Sequence, residues 1–197
     1  MTSFVVFTPG RTGSQLIFKN LLQHFGKNSA VHCHNPLSKP TTDNTWAIVS
    51  HRRDVFSAIV STLVGKRTKE YTQYQGEYNT RFSVDQIEFE DTYQHHKLFY
   101  QAIEHCNFVK VIDIYYEDLI SDPKSLFASL GIEKDIDLTL QEKSPYKNKE
   151  LLINLDQCQQ WFDYLDSQTI PDSQLDLYRS GIEQDLELIK NNETNFQ

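Results

Sequence analysis

Long apolar runs are missing from this 197-residue chain: no stretch approaches the roughly 18 to 20 apolar residues that a membrane-spanning helix requires. The N-terminus also lacks the basic start, apolar stretch and cleavage site of a secretion signal, so the expected location is cytoplasmic, with no membrane partner. Cysteine is scarce. Cys33, Cys106 and Cys158 are odd in number and widely spaced, which fits neither a disulfide framework nor a C-x-x-C metal or redox pair, and reduced thiols are expected. Internal repeats and low-complexity linkers are absent too. A hydrophobic content of 39% with 12% aromatics supports a real core, so residues 1–197 are read as one globular domain.

Net positive charge is the other absence. The formal charge is -8, but it is unevenly spread: residues 1–70 carry nine Lys/Arg and three Asp/Glu, residues 71–197 carry ten and twenty-four. A nucleic-acid binder more often has an overall basic chain with a continuous basic stripe. The pattern favours a compact polyanionic ligand held by the N-terminal third, and no nucleic acid.

What is present begins with Phe4-Val5-Val6-Phe7, which feeds into Thr8-Pro9-Gly10-Arg11-Thr12-Gly13-Ser14-Gln15 and then an amphipathic segment. This reads as a strand, an anion loop and a helix. Gly10 and Gly13 permit tight turns, so that successive amides converge on an anion at the helix N-terminus. Arg11 adds a cation, and Thr12 and Ser14 add hydroxyls. It is not a G-x-x-x-x-G-K-[ST] loop, since the glycines are too close and no Lys-Ser/Thr pair follows. Standing alone, such a loop is equally a plain strand-to-helix turn.

Leu16, Ile17, Leu21, Leu22 and Phe25 recur at helical spacing, with Gly26 as a stop. Strands are expected over 30–33, 46–50 and 108–114, with helices from the Asp54 cap to about Val64, over 86–105, from Asp122-Pro123 to Gly131, and near 156–166 and 173–191. Residues 67–85 show no clear period and read as a loop. Alternating strands and helices imply an α/β fold: a parallel sheet with helices on both faces and ligand sites at the strands' carboxyl ends.

Two more strand ends carry chemistry. Arg53 and Ser61 are eight residues apart, a little over two helical turns, so they are expected to share a face and grip a second phosphate, with Arg52 or Ser57 as substitutes. The bland alternative is an exposed arginine paired with Asp54. Tyr115-Tyr116-Glu117-Asp118-Leu119 ends a strand, where an aromatic is able to stack on a nucleobase and the acids to orient neighbouring loops; core packing holds for at least one of the tyrosines.

The ordered set resembles the sulfotransferases that use 3'-phosphoadenosine 5'-phosphosulfate (PAPS). Arg11-Thr12-Gly13-Ser14 matches their 5'-phosphosulfate loop, with Gln15 departing where a hydroxyl residue is usual. Arg53, Asp54 and Ser61 match their 3'-phosphate motif, and Tyr116 to Leu119 before Asp122-Pro123 matches their Tyr-Glu-Asp-Leu segment. The resemblance covers residues 4–131 and implies a P-loop nucleotide-hydrolase-like core over about 3–131, followed by a helical portion over about 140–191. It also implies PAPS as donor without a metal, Arg11 at the transferring group, Arg53 and Ser61 at the 3'-phosphate, and Tyr116 near the adenine. The C-terminal third resembles the family less: residues Lys143 to Lys147 leading to Ile153-Asn154 look like a segment that closes over the donor, but the glycine-rich lysine motif of animal enzymes is absent.

Sulfuryl transfer needs a base on the attacking hydroxyl, and imidazole suits neutral pH. His34 is the first candidate, since His34-Asn35-Pro36 matches a His-x-Pro found in many family members after the second strand. His32 is its rival, and the His-x-His pair lacks a third metal ligand at a telling spacing. Arg11 is assigned an electrostatic role, because arginine does not readily give up its proton. The acceptor is expected to be a small molecule or glycan offering a hydroxyl or amine, with Lys66, Arg67, Tyr71, Tyr74 and Tyr78 as candidate walls. A small nucleotide kinase or triphosphatase and a non-catalytic nucleotide-binding module are the rival readings.

Overall fold

The N-terminal apolar run forms β1 (Ser3–Phe7), and its alternating side chains enter two different layers. Phe4 and Val6 join one core cluster, Val5 and Phe7 the other. A strand that is apolar on both faces belongs inside a parallel sheet. The computed structural model describes residues 3–35, 45–68, 81–104, 106, 108–133 and 148–181, and there β1 is flanked by β2 (Ala30–Cys33) and β3 (Thr45–His51), with β4 (Lys110–Tyr115) beyond β3. All three pairings are parallel, with Phe7 opposite Cys33 on one side and Val49 on the other. The strand order is β2-β1-β3-β4. The chain therefore leaves β1 for a neighbour on one side and returns on its other side, which opens a crevice at the carboxyl ends of β1 and β3.

Helices cover both faces. On the first, α1 (Ser14–Phe25) packs Leu16, Ile17 and Leu21 against Phe4, Val6, Ile48 and Ile114. It starts two residues before its first apolar position because Gly13, at φ 77°, turns the chain into the helix. It stops at Gly26, whose N-H reaches the Leu22 carbonyl at 3.0 Å. On the second face, α3 (Gln86–Glu104) lays Phe99 and Ile103 on Val5, Phe7 and Val49. Behind it α2 (Val55–Thr68) and α7 (Leu155–Asp166) form a helical layer in which Ile59, Leu63, Phe89 and Cys158 are buried. Burial pushes the Cys158 thiol up to about 11, and the three described cysteines are free.

Some boundaries move. Helix α2 reaches Thr68, four residues beyond the expected Val64, because Leu63 and Val64 are buried and the helix carries on past them. The stretch read as the end of a strand is a helix from Tyr116 on: α4 (Tyr116–Ser121) follows β4 with no intervening residue, anchored by the fully buried Leu119. Helix α5 (Pro123–Ser129) has the expected start, with the Asp122 carboxylate accepting from Ser125 N at 3.1 Å. A short α6 (Asn148–Leu151) precedes α7, and Phe82 pairs with Leu152 in an isolated parallel bridge. The expected last helix is seen as α8 over 172–181, with Leu175 on Leu98 and Ala102. Residues 69–80, including Tyr71, Tyr74 and Tyr78, and the Lys143 to Lys147 segment lie outside the described residues. Among the described residues no helix is long and apolar enough to cross a membrane.

Candidate functional site

The loop between β1 and α1 is tied from three sides. Thr8, fully buried, bonds its hydroxyl to that of Thr12 at 2.8 Å and accepts from Gly10 N at 2.9 Å. From β3, the Ser50 hydroxyl donates to the Thr12 carbonyl at 2.8 Å. From β2, the Cys33 carbonyl accepts from Thr8 N at 3.1 Å. Thr12, expected to offer its hydroxyl to the anion, is buried and turns inward; its contribution is to close the loop. Ser50 was missed in the sequence because its partner lies 38 residues away, and Thr8, whose hydroxyl binds within the loop, because a threonine beside a turn carries no pattern that sets it apart.

The loop stores backbone strain. Gly10, Arg11 and Gly13 have φ of 113°, 58° and 77°, and Arg11 is the one non-glycine among the described residues in the left-handed region, a conformation found at ligand-holding turns. Gly13 is the N-cap of α1 and provides no side-chain cap, so the helix presents its first-turn N-H groups, with their partial positive charge, at the mouth of the crevice. A β-carbon at Gly13 would stand 2.7 Å from Tyr116 Cδ2 and 3.2 Å from Leu119 Cδ2. Only glycine fits.

Around this cradle the expected residues divide. Arg11 Nε donates to the Ser61 hydroxyl at 3.0 Å, joining the first motif to the second. Arg53 goes elsewhere: its guanidinium makes two 2.8 Å bonds to Asp118. The expectation that Arg53 and Ser61 share a helix face does not hold, because α2 starts at Val55 and Arg53 precedes it. Ser57 is not a substitute either, since Asp54 takes both its amide and its hydroxyl as the cap of α2. Those Ser57 bonds hold the Asp54 carboxyl below its ordinary value against the burial that pushes it up. The acids of the third motif orient a neighbouring loop, as expected: Glu117 accepts from Arg53 N at 3.1 and 3.2 Å. Tyr116 lies against Gly13 with the Arg52 guanidinium 5.1 Å from its ring centroid.

The two histidines of β2's end have distinct roles. His32 sits between Gln15 and Ser14: Gln15 Nε2 donates to His32 Nδ1 at 3.2 Å, which leaves His32 Nε2 protonated and donating to the Ser14 hydroxyl at 2.9 Å. Ser14 thus keeps its own proton for an acceptor in the crevice. Burial, with His34 adding, pushes His32 down to about 4, so it is neutral at pH 7. His34 contacts the Thr8 carbonyl through Nδ1 at 3.1 Å. A carbonyl only accepts, so Nδ1 carries the proton and neutral His34 has its lone pair on Nε2. Burial lowers its pKa, opposed by that bond. The geometry gives one ring that orients Ser14 and another able to take a proton beside the loop.

No family model, curated protein or solved structure matches this chain. Function rests on the site alone.

On α3, His96 is buried at 5% exposure, with Nε2 lacking a hydrogen-bond partner among the described residues. Burial, with His95 adding, pushes its pKa down to about 4. The unfolded chain therefore binds this proton first as pH falls below about 6.5, so stability is full above that value and is lost between about 6.5 and 4. The melting temperature is expected to drop from pH 7.5 to pH 5, and His96→Phe, which keeps a ring and removes the titration, to show a shallower drop. Equal slopes for the two proteins would contradict this assignment.

Proposed function

We propose that the protein is a sulfotransferase that moves a sulfuryl group from PAPS to the hydroxyl, or amine, of a small-molecule or glycan acceptor, without a metal. The observation that carries the reading is His34 Nε2 held as a free base by the Thr8 bond, which ties the end of β2 to the loop whose uncapped helix end and Arg11 make a cradle for an anion. The residues fit the donor: Gly13 allows the tight, left-handed turn that starts α1 without a side-chain cap, and the Arg52 Nε is a buried donor with no hydrogen-bond partner among the described residues.

The donor supplies a sulfuryl group on a 5'-phosphate leaving group. His34 takes the acceptor proton at Nε2 as the new oxygen–sulfur bond forms and the bond from sulfur to the phosphate oxygen breaks. Arg11 and the first-turn N-H groups of α1 hold the charge that develops on the departing oxygen. Ser14, oriented by His32, donates its hydroxyl proton to the same phosphate. A second anion, the 3'-phosphate, would fall to a guanidinium of the two arginines that follow β3, and the Tyr116 ring would stand near the adenine.

Sulfur-35-labelled PAPS incubated with the protein and an extract of its source cells is expected to label a discrete acceptor. Label that stays on PAPS, with adenosine 3',5'-bisphosphate still bound, would assign the chain to the non-catalytic nucleotide-binding modules.

A further inference from the structure

Two adjacent arginines follow β3, and the structure treats them differently. Arg53 is committed: besides its two bonds to Asp118, its guanidinium lies 4.6 Å from the centroid of the Tyr115 ring. Its backbone N-H and that of Asp54 face the Glu117 carboxylate, at distances from 3.1 to 3.5 Å. A phosphate arriving at that guanidinium has to displace one carboxylate and lie beside another, which opposes its binding.

Arg52 is less committed: the Asp54 carboxyl feels its charge, but no ion pair holds its guanidinium among the described residues. Ser50, within β3, holds the Thr12 carbonyl of the loop, and Arg52 follows one residue beyond the strand's last residue, His51. Its guanidinium stands over Tyr116, the ring that closes against Gly13. Its Nε is buried and has no hydrogen-bond partner among the described residues. A buried guanidinium N-H left unpaired is costly, and a phosphate oxygen would satisfy it with a charge-assisted bond.

We propose that Arg52, not Arg53, binds the second phosphate of the bisphosphorylated adenosine, and that Arg53 is the strut that fixes α4 to the N-terminus of α2. The assignment rests on the donor reading above and goes beyond it by exchanging the guanidinium that the sequence resemblance implies. It also explains the Tyr116 contact, since one arginine then meets both the phosphate and the ring beside the base.

Magnesium-free calorimetry with adenosine 3',5'-bisphosphate and with 5'-AMP, alongside thermal melting, tests it on the wild type, Arg52→Gln, Arg52→Lys and Arg53→Gln. The wild type is expected to prefer the bisphosphate. Arg52→Gln should remove a preference of roughly 10- to 100-fold, the worth of one charged hydrogen-bonding group, while 5'-AMP affinity stays within about twofold. Arg53→Gln should keep the preference and melt at a lower temperature. A preference that survives in Arg52→Gln and disappears in Arg53→Gln overturns the assignment. If Arg52→Gln does not fold, Arg52→Lys decides: it must show a smaller preference than the wild type. A wild type that binds 5'-AMP and the bisphosphate equally defeats the Arg52 assignment alone, whereas one that binds neither defeats the donor reading itself.

Discussion

His34→Ala is expected to lower turnover roughly 10²- to 10⁴-fold, the usual worth of a general base, while the bisphosphate still binds within about threefold of wild type. The ring makes one hydrogen bond to the fold, from Nδ1 to the Thr8 carbonyl, besides an edge contact with the His32 ring, and losing a bond of that kind costs about 1 kcal/mol of stability. The expected loss of rate corresponds to a barrier increase of about 2.7 to 5.4 kcal/mol. The two effects are therefore separable: a variant that melts nearly where the wild type does, binds the nucleotide and fails to turn over has lost the base. The wild-type pH profile should agree. Because burial lowers the His34 pKa, its neutral, proton-accepting form persists below the ordinary value of about 6.5, and the acid limb of kcat/KM should fall on the acid side of that value. Turnover of the variant within threefold of wild type would remove His34 from the mechanism.

Gly13→Ala should act on the cradle itself. A φ of 77° costs an alanine about 1 to 2 kcal/mol. Its β-carbon, 2.7 Å from Tyr116 and 3.2 Å from Leu119, meets a ring backed by Arg52 and a fully buried leucine. Relieving such overpacking costs typically about 1 to 3 kcal/mol more. We expect a clear drop in melting temperature and a loss of bisphosphate affinity of at least about 100-fold, since any shift of the loop moves Arg11, Ser14 and the first turn of α1 together. Normal melting and normal binding in this variant would mean that the Gly13 turn holds no ligand.

How much of this was legible in the sequence depended on range. Strand, loop and helix follow one another through the first 25 residues because the apolar period changes from alternation to helical spacing at Leu16, and the caps at Asp54 and Asp122 were readable because a carboxylate three residues before an amide is a local device. Helix α4 was hidden. Tyr115 and Tyr116 are aromatic residues at home in strands, no Gly or Pro separates them, and what makes the segment helical is the burial of Leu119 beneath the sheet. The Arg53 partner was hidden for the same reason: Asp118 is 65 residues away, and an eight-residue spacing suggested a shared face with Ser61 that a helix starting at Val55 does not provide. His34 was identifiable as a candidate by its type and place, but the proton position that makes it a base comes from the Thr8 carbonyl, 26 residues earlier and brought alongside by the β1–β2 pairing.

The claim that the crevice between the ends of β1 and β3 receives a bisphosphorylated adenosine is tested most directly by competition of two nucleotides in a metal-free calorimeter. With EDTA present, adenosine 3',5'-bisphosphate should bind more tightly than ATP, and adding magnesium should not reverse the order. Tighter binding of ATP that depends on magnesium would contradict the account and place the protein with kinases or triphosphatases, and no binding of either would leave the loop a plain turn.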